Sequence, residues 1–137
     1  MPSLAVHCKA SISDGMGHIY RQINLANELK KKGWEISFYI PNFAPAIDLL
    51  TQAEFTSVIM GPESSVAECL DKFFDFVILD IQDTTESLVY SVKKRTRYIV
   101  SFEDLGAGRN HVDILIDCNL APSETKNLPS STKGLLG

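Results

Sequence analysis

Hydrophobic and polar positions change period along the chain at a regular beat. The apolar run Leu4 to Cys8 predicts a short strand. Gly17 to Lys32 predicts a helix with Ile19, Ile23, Ala26 and Leu29 on one face, closed by Gly33 as its C-terminal cap. Glu35 to Ile40 reads as a strand stopped by Pro41, Phe43 to Gln52 as a weaker helix, and Thr56 to Met60 as a strand punctuated by Gly61-Pro62. Ser65 to Phe73 has helical spacing. Phe76 to Asp80 is almost continuously apolar, as a strand buried on both faces would be. Thr85 to Lys94 predicts another helix, and Tyr98 to Phe102 and Val112 to Ile116 the last two strands. Strands alternating with helices of this length imply crossover connections, hence a parallel sheet. The expected fold is α/β: a doubly wound, Rossmann-like parallel sheet of about six strands with helices on both faces.

That rhythm holds over residues 1–120 and then stops. Residues 121–137 carry Pro122, Pro129, Ser123, Ser130 and Ser131 without periodicity, and read as a linker or loose tail after a half-size α/β domain. Such a tail is expected to lead to a further domain.

Composition narrows the function classes. The chain has 137 residues, 45% of them hydrophobic, and a formal charge of -4, which disfavours nucleic acid or an anionic membrane as partner. Lys30-Lys31-Lys32 and Lys93-Lys94-Arg95 end predicted helices, where they complement the carbonyl terminus. No apolar run is long enough for a membrane span, and no signal peptide is evident at Met1-Pro2-Ser3. Cys8, Cys69 and Cys118 are odd in number and widely spaced, as reduced thiols of a cytoplasmic protein are, and neither they nor His7, His18 and His111 show metal-ligand spacing.

Parallel sheets bind ligands outside the carboxyl ends of their strands, near the reversal of strand order. The polar groups following the predicted strands therefore carry the candidate chemistry: Ser11 to His18, Asn42, Asp80 to Asp83, and Glu103-Asp104. Gly15-Met16-Gly17-His18-Ile19-Tyr20-Arg21 is the most distinctive of these. Its glycines permit a tight turn and close approach of a ligand to the backbone, and the helix that follows presents unpaired N–H groups. His18 offers an imidazole either for general-base work or for capping the loop, and Arg21, one turn later, a fixed cation that either reaches the same mouth or pairs with an acid. Asp80, closing an apolar strand, either holds His18 in one tautomer, binds a hydroxyl, or starts a loop; Asp104, before Leu105-Gly106, fits a turn as well as a site. A response-regulator-like module fits poorly, because Lys9 to Asp14 lacks the acidic pair such a site needs.

Three ordered segments resemble one family: Gly15 to Leu29 with Gly33-Trp34-Glu35-Ile36-Ser37-Phe38; Asp75 to Asp80; and Phe102 to Leu105 with Val112 to Asn119. They resemble the N-terminal domain of the PseG/SpsG family, UDP-sugar hydrolases of pseudaminic acid biosynthesis and spore coat polysaccharide biosynthesis G proteins, relatives of MurG-like glycosyltransferases. The resemblance implies the N-terminal half of a two-domain GT-B fold; no cofactor is expected. It implies His18 as the catalytic base and a nucleotide-sugar site drawing on Gly15, Met16, Gly17, Arg21, Asp80, Gln82 and Asp104. A C-terminal nucleotide-binding domain would supply most UDP contacts, so this chain alone should bind UDP weakly or not at all. His7 and Lys9 stand where the family often has Arg-x-Asp, and Asp80-Ile81-Gln82 where the hydrolases have Asp-x-Tyr. Those departures leave the sugar open, as they do the alternative of a degenerate, non-catalytic sugar-binding or regulatory domain.

Overall fold

The computed structural model describes residues 1–117 and the backbone of residues 133–135. Its elements are β1 (Ser3–Cys8), α1 (Gly17–Lys31), β2 (Glu35–Pro41), α2 (Ala44–Gln52), β3 (Thr56–Met60), α3 (Val66–Cys69), β4 (Phe74–Asp80), α4 (Glu86–Lys93), β5 (Thr96–Phe102), a 3₁₀ helix (Ala107–His111), β6 (Ile114–Ile116) and β7 (Lys133–Leu135). All strand pairs are parallel, in the order β3-β2-β1-β4-β5-β6-β7. This is a doubly wound α/β sheet of the Rossmann type, with the order reversing between β1 and β4.

Alternation along the strands divides two cores. Leu4, Val6, Phe38, Ile40 and Ile78 face α1 and α2, whose Ile19, Ile23, Ala46 and Leu50 are buried against them. Ala5, Tyr39, Val77, Leu79 and Ile99 face α3 and α4, meeting Val66, Val89 and Val92. Both faces of β1 and β4 are therefore covered, which is why those strands read as nearly unbroken apolar runs. Beyond α1 the first face is less covered: Phe102, Ile114 and Ile116 are half-buried along an apolar groove of about 190 Å³.

Three stretches depart from the sequence expectation. The helix expected over Ser65 to Phe73 is one turn, Val66–Cys69, because Leu70 turns to extended backbone and Phe74 is drawn into the core as the start of β4. There Phe74 packs edge-on against Tyr39 at 6.2 Å. β6 begins at Ile114 rather than Val112, since Asp113 spends its carboxylate and its N–H on the backbone of Ile99. The linker expected over 121–137 lies mostly outside the described residues, yet Lys133–Leu135 within it pairs in parallel with β6 as an edge strand.

Candidate functional site

Polar side chains collect where the strand order reverses. β4 ends on Asp80, which is fully buried, and β1 leads through a tight loop into α1. Ser11 and Gly15 bridge that loop, the Gly15 N–H donating to the Ser11 carbonyl at 2.8 Å. Gly15 has φ +73°, a conformation strained for any side chain, whereas a Cβ at Gly17 would meet nothing within 4 Å. Gly17 opens α1, whose cap residue Met16 makes no side-chain capping bond and whose first turn holds no acid.

From the first two turns of α1 three side chains converge on Asp80. His18, Arg21 and Gln22 sit at i, i+3 and i+4, hence on one helix face. His18 Nδ1 donates to Asp80 Oδ1 at 2.7 Å, Arg21 donates through Nε to Oδ2 at 2.6 Å and through NH2 to Oδ1 at 2.5 Å, and Gln22 Nε2 donates to Oδ2 at 2.8 Å. Four donors fill the carboxylate's acceptor sites, so its burial is compensated rather than costly. Arg21 also donates through NH1 to Glu103 Oε2 at 3.0 Å and lies 5.2 Å from the Phe102 ring centroid. The bonds to Asp80 foremost, then those to Glu103, raise the guanidinium pKa further, against an opposing effect of burial.

This geometry sets the imidazole. An ionised Asp80 accepts only, so Nδ1 of His18 carries the proton and a neutral ring has its lone pair on Nε2. Arg21 NH2, 3.4 Å from that Nδ1, is then a neighbour on the same carboxylate and not a bonding partner. Nε2 makes no bond to a described residue, and His18 lines a cleft of about 330 Å³ with Gln82, Glu103, Leu105 and Asp117. Gln82 and Glu103 both have positive φ, 71° and 47°. Each is fixed by a backbone bond, from the Leu105 N–H to the Gln82 carbonyl and from the Glu103 N–H to the Ile116 carbonyl. Strained non-glycine positions persist where surroundings over-determine them, and they cluster at sites.

The expected residues divide into those brought to this cleft and those that are not. His18 and Gln82 line it, Arg21 and Asp80 brace it, and Gly15 and Gly17 shape the loop above it. Met16 packs its side chain against the core on the α1 face. Asp104 lies inside its own loop with no exposure, its carboxylate accepting from the Thr84 N–H, the Thr84 and Ser101 hydroxyls and the Gly106 N–H. It orients the loop and has no acceptor left for a ligand. Its neighbour Glu103 takes the cleft position instead. Gln22 was not among the sequence candidates, although its spacing from His18 carried the signal. Asp117, at the end of β6, was also missed.

Beside the cluster, Cys8 pairs in register with Asp80 and is buried; desolvation pushes its thiol pKa up, and the nearby carboxylate adds to this. Among the described residues no group of three or more His, Cys, Asp or Glu could hold a metal ion, and no helix is long and apolar enough to cross a membrane.

The chain is 25% identical over 127 residues to the uncharacterized protein MJ1062 of Methanocaldococcus jannaschii, a match covering 90% of this chain and 26% of that protein. The chain thus spans about a quarter of the length of that relative. No family model and no solved structure matches.

Proposed function

We propose that this chain is the N-terminal half of a nucleotide-sugar enzyme of the PseG/SpsG kind, with His18 as general base. The observation that carries the reading is the Asp80–His18 couple: a buried, fully donated carboxylate holding by its Nδ1 an imidazole that lines a cleft at the carboxyl edge of the sheet. In the proposed step, Nε2 takes the proton of a water or acceptor hydroxyl as its oxygen attacks the anomeric carbon. The bond from that carbon to the diphosphate oxygen breaks, and UDP leaves with the electron pair. Asp80 stabilises the imidazolium as it forms. The uncapped first turn of α1 adds N–H groups suited to negative charge nearby. A second domain would supply most contacts to the nucleotide.

UDP release from a panel of UDP-sugars by the protein as encoded tests this. His18→Ala should lower kcat by about 10²- to 10⁴-fold with KM and melting nearly unchanged. Turnover that survives His18→Ala undiminished would overturn the base assignment. Sugar binding with no UDP release from any of the panel would leave a non-catalytic domain in its place.

A further inference from the structure

A second cleft opens at the same edge of the sheet, on the far side of β1. It has a volume of about 490 Å³, in the range of small-molecule sites, and lies at the carboxyl ends of β1, β2 and β3. Pro41, Met60 and Pro62 give it apolar walls, and His7, Asn42 and Ser64 its polar groups. The turn from Gly61 to Ser64, closed by the Ser64 N–H on the Gly61 carbonyl at 3.0 Å, sets the serine at the rim.

His7 is the informative member. Its Nδ1 lies 2.9 Å from the Tyr39 carbonyl, which can only accept, so Nδ1 carries the proton and Nε2 is the acceptor. No described residue hydrogen-bonds Nε2, and the His7 side chain lines the cleft. Burial lowers the pKa of this imidazole, which keeps the acceptor in place near neutral pH. A histidine serving packing alone has no need of a fixed tautomer at the wall of a cavity.

We infer that this cleft is a subsite for an uncharged pyranose ring, the sugar of the donor or of the acceptor. This deepens the nucleotide-sugar reading and rests on it. The apolar walls suit the C–H face of such a ring; His7 Nε2 accepts from one hydroxyl, and Asn42 and Ser64 each donate and accept. Among the described residues no Lys or Arg lines the cavity, so a phosphate would find no counter-charge from them there. His7 precedes by one register step the Cys8–Asp80 pair, and neighbouring strands lie about 4.8 Å apart. The two clefts lie over the ends of β1–β3 and of β4–β6, their centres about three strand spacings, roughly 14 Å, apart.

Titration of the isotope-labelled chain with N-acetylglucosamine, followed by NMR, tests the subsite. Saturable shifts are expected at the His7 ring and at the amides of Asn42 and Ser64, and inorganic phosphate should produce none there. The exposed pair Asn42→Ala and Ser64→Ala, combined, should weaken the sugar by about tenfold while leaving the spectrum folded. Absence of saturable shifts at these three residues, saturation by phosphate, or unchanged affinity in the double variant would overturn the inference. UDP-sugar turnover without sugar shifts at His7 would sink the subsite alone. Shifts at His7 without UDP release would sink the enzymatic reading alone.

Discussion

At the scale of single residues, Asp80 decides most. It is a buried anion with four donors, and removing its charge leaves Arg21 and Gln22 donating into a weaker acceptor. Breaking such a pair typically costs about 3–5 kcal/mol, so Asp80→Asn should lower the melting temperature by roughly 10 °C or more. Glu103→Gln, at a half-exposed position, should cost no more than about 1 kcal/mol. Calorimetric melts that rank the two variants the other way would refute this account of the cluster. His7 makes a pH prediction. Its folded pKa lies below the ordinary 6.5, so below that pH the unfolded chain binds a proton that the folded chain refuses. Stability should fall as pH drops through 6.5 toward the folded pKa and level off beneath it. Chemical denaturation at stepped pH should show this slope in the native protein and lose it in His7→Gln. His18, Arg21 and Asp80 were legible in the sequence because helix start and strand end fixed their neighbourhood. The choice between Glu103 and Asp104 was not, because it depends on which way a strained backbone turns after Phe102, and no periodicity records that.

At the scale of elements, the loop after β4 and the loop after β5 are locked into each other. Asp104 holds Thr84, and a Cβ on Gly106 would lie 2.1 Å from the Thr84 carbonyl oxygen. Backbone would have to move to admit it. Gly106→Ala should therefore lower the melting temperature and shift Gln82 and Glu103, whereas Gly17→Ala should melt like the native protein, having open space before it. Melts of the two variants, with amide shifts of 82 and 103 as the local readout, decide the matter; equal melting would show that the loops are not coupled as described. Long amphipathic elements such as α1 were legible to within a residue, since their apolar face repeats several times. α3 was not, because Phe73 and Phe74 extend the apolar pattern while only Phe74 is buried. β7 was invisible: three residues among prolines and serines carry no period.

At the scale of the whole molecule, six of the seven strands and their parallel direction followed from alternating periods, but strand order did not. The sequence does not state that β1 lies beside β4, and the candidate site exists only because it does. That neighbourhood has a consequence in time. β1 is made first, yet one of its two pairing partners is distant: Ser3 bonds to Asp75, 72 positions further along. At about 5–20 residues per second of synthesis, β1 waits roughly 4–14 s before β4 exists. During that interval Leu4, Val6 and Cys8 can be sheltered only from the side of α1 and β2. Protease challenge of ribosome-stalled chains of increasing length should find β1 cleavable until β4 has left the exit tunnel, and protected afterwards. Early protection would mean that β1, β2 and α1 already form a stable unit. Late protection makes the birth of Asp80 the moment at which both the sheet and its candidate catalytic couple come into being.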